Sequence, residues 1–216
     1  PHPVLLKPKI YYYLLTSRVI GTDDYLRYLR HTKLRAGQKV VQIWHACGAF
    51  KRFGLDAPSL LTPQEERLTH CQYTAVCVSS EQVRPFYAQA FGIDIARVLP
   101  LGTPRTDALL RDQTRSALRE ELLTRRPEMR GKRIYLYTPT FREQNGKPCA
   151  YDPQINWEAL DDALADDELF VIRRHPIMKE SFLGGRSFRH IVDATREPTQ
   201  ALLTVASLVV TDYSSV

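Results

Sequence analysis

Val40-Val41-Gln42-Ile43-Trp44-His45-Ala46-Cys47-Gly48-Ala49-Phe50-Lys51-Arg52-Phe53-Gly54 reads as a short apolar strand that breaks into a histidine, a run of small residues and a pair of cations closed by glycine. A buried strand that ends this way points to an α/β fold, in which ligands sit beyond the carboxyl ends of the strands. The pattern recurs. Four predicted strands run into residues that carry chemistry: His45 after 40–44, Arg142 after 134–138, His175 after 169–173 and Asp212 after 208–211. Strand-end loops are where a rigid α/β scaffold presents functional groups.

Working outward, residues 9–16 are aromatic and aliphatic and read as a strand, and Thr22 caps a predicted helix to about Thr32. Thr62-Pro63-Gln64-Glu65 has the residues of a capping box, with proline at the first helical position, and opens a helix to about Gln72. A strand at 73–78 follows. Ser80 then caps a helix to Phe91 that Gly92 ends. A short strand at 96–99 precedes a charged amphipathic helix at 112–126. The polar stretch 125–132 holds both Pro127 and Gly131 and sets a domain boundary at about residue 130. The second half repeats the grammar: a strand at 134–138, a polar loop at 143–153, a helix capped by Asn156 to about Ala165, strands at 169–173 and 191–193, a helix from Pro198 to Ala206, and a last strand at 208–211. Strands alternating with helices predict parallel sheets in both halves, 1–130 and 131–216.

The composition is that of a globular chain: 216 residues, 44% hydrophobic and 25% charged. That length buries a core without disulfides or metals. The net charge is +6, and residues 1–56 hold ten Lys/Arg against three Asp/Glu. Such a bias suits nucleic acid, an anionic membrane surface or a phosphorylated substrate; a solvated basic face is the plainer alternative. Aromatics do not interleave with the basic residues, except near 25–30, which argues against nucleic acid. Cys47, Cys71, Cys77 and Cys149 form no CxxC and have no histidine at zinc-ligand spacing, so neither a metal nor an oxidising compartment is expected, and the cytoplasm is. No run of 18 apolar residues predicts a membrane span, and no signal peptide is visible. A P-loop and GxGxxG are absent, so neither a Walker ATPase nor a dinucleotide enzyme is expected, and no cofactor. Both ends read as cuts through a longer protein.

His45 is a candidate general base, because a neutral imidazole takes a hydroxyl proton near pH 7; a structural histidine behind Trp44 is the other reading. Lys51 and Arg52 are candidates to hold an acceptor phosphate, or else a solvated pair. His175 follows Arg173 and Arg174, and three potential cations at one strand end would offset charge on a transferring phosphoryl group; an ordinary strand-to-helix corner would look the same. A helix starting at Ser214 or Ser215 would aim free amides at a phosphate. Simple capping by Asp212 or Ser214 is the alternative.

Five motifs occur in order: Trp44-His45, Gly102-x-Pro104-Arg105-x-Asp107, Tyr137-Thr138-Pro139-Thr140-Phe141-Arg142, Arg174-His175-Pro176 and Thr211-Asp212-Tyr213-Ser214-Ser215. The set resembles the CDP-glycerol glycerophosphotransferase family, the teichoic acid primases and polymerases. The resemblance implies an α/β GT-B-like fold, two Rossmann-like domains facing a cleft, with the second incomplete here and its last strand an open edge. It implies transfer of glycerol phosphate, or ribitol phosphate, from CDP-glycerol or CDP-ribitol to a hydroxyl of a lipid-linked polymer, with release of CMP. On the same match His45 resembles the family's base and His175 its second essential histidine. Arg142, Arg174, Asp212, Ser214 and Ser215 fall on the donor phosphate site. Lys51 and Arg52 fall on the acceptor side, and Gly102, Pro104, Arg105 and Asp107 form a structural motif. Peripheral contact with the anionic inner face of the cell membrane follows from the lipid-linked acceptor. The chain departs from the family at His45-Ala46-Cys47-Gly48, where many members have Trp-His-Gly and then a hydroxyl residue. A GT-B glycosyltransferase using a nucleotide sugar, and a non-catalytic basic α/β binding module, remain the competing readings.

Overall fold

The computed structural model describes residues 3–57, 61–144, 147–149, 153–175, 177–178 and 180–212. Two four-stranded parallel sheets organise the chain, which divides at Arg105/Thr106 into two units.

The first unit runs α1 (Pro3–Thr16), β1 (Val19–Thr22), β2 (Lys39–Gln42), α2 (Pro63–His70), β3 (Ala75–Cys77), α3 (Arg84–Phe91) and β4 (Val98–Leu99). Its strands lie in the order β1-β2-β3-β4, all parallel. Ile20, Val40, Val76 and Val98 enter one core with Leu29, Tyr73, Tyr87 and Phe91. The strand expected at 9–16 is instead the end of helix α1. Ile10 and Leu14 are four residues apart and so share a helical face, and both pack on this core. The edge-strand position is taken by β1, a four-residue strand without a strong sequence signal. The helix expected from Thr22 to Thr32 is absent. Thr22 closes β1, Asp24 turns the chain by accepting the Tyr25 amide on its own carboxylate at 2.7 Å, and only a 3-10 turn, Arg27–His31, follows. The Thr62 capping box on α2 forms as expected, with the Thr62 and Glu65 side chains each taking the other's amide. Gly92 ends α3 with a left-handed φ of 61°. Ser80 makes no cap; the 3-10 turn Glu81–Val83 leads into α3 instead.

The division falls inside α4 (Pro104–Leu110), whose Pro104 and Arg105 belong to the first unit. The second unit continues with α5 (Asp112–Arg125), β5 (Arg133–Thr138), β6 (Arg142–Gln144), β7 (Lys147–Cys149), α6 (Trp157–Ala163), β8 (Glu168–Ile172), β9 (Ile191–Asp193), α7 (Thr199–Leu203) and β10 (Ala206–Thr211). The main sheet has the order β10-β5-β8-β9. Alternation on the strands feeds two cores. Ile134, Leu136, Leu169 and Val171 face Leu122, Leu123 and Leu202, whereas Phe170 and Ile172 face Trp157, Leu183 and Ile191. This packing explains why the division falls at Arg105/Thr106 and not near residue 130: Leu122 and Leu123 of α5 bury against the second sheet and carry the helix into that unit. The polar stretch expected as a loop contains the antiparallel pair β6–β7. Asn156 caps α6 through its side chain, which accepts the Ala159 amide at 3.0 Å. Among the described residues β10 is an end strand of its sheet, with Leu208, Val209 and Val210 exposed.

Candidate functional site

In the first unit everything turns on how β2 ends. The Ile43 amide still bonds to the Thr22 carbonyl at 2.8 Å. Trp44 then takes a left-handed φ of 49°, which costs a residue with a side chain about 1–2 kcal/mol. Two contacts hold it there. Its amide donates to Gln42 Oε1 at 2.9 Å, and its buried ring lies 5.1–5.3 Å from those of Tyr25, Phe53 and Phe91. The turn throws His45 out to the surface. His45 Nδ1 lies 2.9 Å from the Asp23 carbonyl oxygen. A carbonyl only accepts, so Nδ1 carries a proton, and in the neutral ring Nε2 keeps its lone pair. The His45 carbonyl in turn accepts from Arg105 Nη1 at 2.8 Å.

The rest of the turn is fitted to its neighbours. The Tyr87 hydroxyl donates towards the carbonyls of Ala46 and Gly48 at 3.2 and 3.3 Å; burial first, and then Cys47, push that phenol up to about 12, so it stays a donor. Gly54 has φ 58°, and a Cβ there would stand 2.1 Å from the Ala90 carbonyl oxygen. Lys51 and Arg52 line a cavity of about 460 Å³ with Phe50, Phe53 and Phe86. Gly102 takes φ 86° and gives its amide to the Val78 carbonyl at 3.0 Å. Pro104 opens α4, and Asp107 lies 3.7 Å from Arg111 in an exposed pair, which contributes little.

In the second unit the loop after β5 gathers the candidates. Asp212 Oδ1 accepts the Thr140 amide at 3.0 Å and its hydroxyl at 2.5 Å. Arg142 Nη1 donates to Asp212 Oδ2 at 3.0 Å and to the Thr140 carbonyl at 2.6 Å. Burial would raise the Asp212 carboxyl, but the bonds from Thr140 and Arg142 outweigh it and hold the group below its ordinary 3.8. Phe141, between them, lies 4.7 Å from the His175 ring. His175 Nδ1 accepts the Ile177 amide at 3.3 Å, which puts the neutral ring's proton on Nε2. As neutral rings the two histidines therefore hold opposite tautomers.

Arg174 stands apart from this group. It is buried, its Nε and Nη2 donate to Asp193 Oδ2 at 3.2 and 3.0 Å, and its Nη1 donates to the carbonyls of Met178 and Glu180. Its guanidinium is thus taken up in pinning the loop after β8. A cavity of about 940 Å³ opens beside it, lined by Arg126, Arg173, Arg196 and Thr195 among others. Ser214 and Ser215, with the helix start expected there, lie outside the described residues, as does Pro176. Sequence reasoning did not find Gln42, the Asp23 carbonyl or Thr140. Thr140 lies inside the motif at 137–142, and Gln42 is in sequence one more residue of a strand.

A sequence profile described as CDP-Glycerol:Poly(glycerophosphate) glycerophosphotransferase matches residues 2–216. The chain is 35% identical over 218 residues to the teichoic acid poly(ribitol-phosphate) polymerase of Bacillus spizizenii, covering 95% of this chain and 34% of that protein. It is 34% identical over 215 residues to the teichoic acid ribitol-phosphate polymerase TarK of Staphylococcus aureus, covering 97% of this chain and 42% of that one. Among solved structures, a histidine-to-asparagine variant of the wall teichoic acid polymerase TagF soaked with CDPG superposes with a TM-score of 0.74 at 19% identity, over 92% of this chain and 50% of that one. The likeness identifies the parallel α/β architecture as a partial Rossmann-like GT-B fold. The chain spans half or less of the length of each of these proteins.

Proposed function

The chain belongs to the CDP-glycerol:poly(glycerophosphate) glycerophosphotransferase family, and on that premise we propose that its protein transfers an alditol phosphate from a CDP-alditol to a hydroxyl of a teichoic-acid-type polymer. In the proposed step His45 Nε2 takes the proton of the acceptor hydroxyl. The oxygen forms a bond to the β-phosphorus, the bond from that phosphorus to the bridging oxygen breaks, and CMP leaves with the electron pair. The observation that carries this reading is the grip of the Asp23 carbonyl on His45 Nδ1. It leaves the basic nitrogen at the surface and the ring oriented, as a general base requires.

Roles follow by unit. The first supplies the base and, at Lys51 and Arg52, cations for an anionic acceptor. The second supplies donor-phosphate groups: Arg142, ordered by Asp212 and Thr140, and His175, whose Nε2 proton suits a phosphoryl oxygen. Charge developing on those oxygens is what such donors offset. Ser214 and Ser215 are proposed for the same donor site on the motif match alone. Arg174 acts there by shaping the loop that presents His175. Ribitol phosphate is the favoured cargo, since both polymerase relatives above are named for it. The acceptor is proposed to be lipid-linked and the protein to meet the anionic inner face of the membrane through its basic first segment; no helix among the described residues is long and apolar enough to cross a membrane.

The test is CMP release by the full-length protein from CDP-ribitol, CDP-glycerol and a UDP-sugar in the presence of primed polymer. Turnover of a CDP-alditol is expected. Turnover of the UDP-sugar alone would overturn the reading in favour of a glycosyltransferase.

A further inference from the structure

Behind the turn that carries His45 lies a polar chain buried in an otherwise apolar core. Gln42 and Tyr73 are fully buried, as is His70, and Glu66 nearly so. The pleat puts Gln42 on the same face of β2 as Val40, pointing into the core. Its side-chain amide is doubly committed: Oε1 accepts the Trp44 amide at 2.9 Å, and Nε2 donates to the Asp24 carbonyl at 3.1 Å. A backbone amide only donates and a carbonyl only accepts, so the orientation of the Gln42 amide is fixed. Nε2 also donates to the Tyr73 hydroxyl oxygen at 3.2 Å. That hydroxyl has one hydrogen, and its remaining partner is His70 Nδ1 at 3.2 Å. His70 Nδ1 therefore accepts, and His70 Nε2 donates to Glu66 Oε2 at 2.8 Å.

Every hydrogen in this chain points one way, from the Trp44 amide through Gln42, Tyr73 and His70 to Glu66. Buried polar networks that are fully satisfied rigidify what they touch. Here the near end touches both arms of the clamp on His45. Trp44 precedes it in sequence, and Asp24 follows Asp23, whose carbonyl holds its ring.

We propose that Gln42 is a positioning residue for His45, and that Glu66, His70 and Tyr73 form the buried relay that keeps the Gln42 amide in its working orientation. The proposal rests on the reading of His45 as the base. It adds a support that neither strand-end logic nor the motifs assign. Burial favours the neutral imidazole of His70, although Glu66 pulls the other way, and it raises the Tyr73 phenol, so that both keep the protons this chain requires.

The experiment is a long-range proton–nitrogen spectrum of the His45 imidazole in the full-length protein, for wild type, Gln42→Leu and Tyr73→Phe, with His45→Ala to assign the signal. Wild type should show a single Nδ1–H tautomer, and each folded variant should show a mixture. Retention of the wild-type pattern in either folded variant overturns the proposal; should Gln42→Leu fail to fold, Tyr73→Phe alone decides it. Kinetics give a second readout through CMP release. Gln42→Leu should lower kcat about tenfold with KM within about twofold, since a base held loosely loses rate more than binding. In a His45→Ala background it should have no further effect, because the two act as one unit. Equal losses in both backgrounds would mean a structural role only. If His45→Ala itself keeps its kcat, the base reading fails, and the tautomer spectra still decide the positioning.

Discussion

Arg105 reaches from the first turn of α4 to the backbone carbonyl of His45 and donates to it at 2.8 Å. The candidate base is thus held from its own carbonyl as well as from its ring, and the hold comes from a motif that on sequence looked merely structural. Arg105→Ala should reduce kcat for CMP release about tenfold while leaving KM nearly unchanged, the pattern of a group lost from orientation and not from ground-state binding. Arg105→Lys should recover part of the rate. An unchanged kcat in the alanine variant would remove Arg105 from the site.

Asp193 neutralises the buried Arg174 guanidinium. Burial alone would raise the Asp193 carboxyl; hydrogen bonds from Thr195 and the charge of Arg174 hold it below its ordinary value. Removing one partner of a buried pair leaves the other charge uncompensated. Asp193→Ala should cost about 3 kcal/mol of unfolding free energy, measurable by urea denaturation. The sign with pH is fixed by the depressed carboxylate. Its contribution is present above the ordinary 3.8 and is lost as pH falls below it, so the acid sensitivity of wild type should be blunted in Asp193→Ala.

Gly54 combines a left-handed backbone with no room for a methyl group. Gly54→Ala should destabilise by at least about 2 kcal/mol, from αL strain and overpacking together. A drop in midpoint denaturant concentration at unchanged slope would be the expected result; equal stability would mean that the Ala90 carbonyl moves freely.

His70 supplies a pH dependence in the neutral range. Burial, opposed by its bond to Glu66, depresses its imidazole below 6.5. Below that value the unfolded chain binds a proton that the folded chain refuses, so stability should fall as pH falls from about 7 to about 5. The groups facing it are Glu66, Tyr73 and the ring of Tyr25. A His70→Gln variant should show a shallower slope over the same window. A steeper or equal slope would place the titrating group elsewhere.

Much of the fold could be read from residues with strong local signals. Every strand of the two main sheets except β1, the Thr62 and Asn156 caps and the Gly92 stop each rest on a side chain or backbone property that acts within a few residues. What escaped the reading depended on distant partners. Ile10 and Leu14 look like strand residues until the core they pack on is known. Leu122 and Leu123 assign α5 to the second unit only through Ile134 and Leu136. The site divides in the same way. His45, Arg142, His175 and Asp212 announced themselves as polar residues at strand ends. Glu66 and His70, one helical turn apart, carry no signal of a buried role in the sequence, and Arg174 looked like one of three potential cations beside His175. Only the tertiary structure shows that the first pair is buried beneath Trp44 and that the third side chain is taken up by Asp193.

The contact of the His45 ring with Trp44, centroids 4.4 Å apart and planes tilted by 31°, gives the protein an optical indicator of its own chemistry. A protonated imidazole quenches indole emission at contact, whereas the neutral ring does so far less. The chain has two tryptophans, and replacing Trp157 with phenylalanine would leave Trp44 as the one tryptophan of these 216 residues. Its fluorescence would then follow the charge on His45 during titration or turnover, with no label attached.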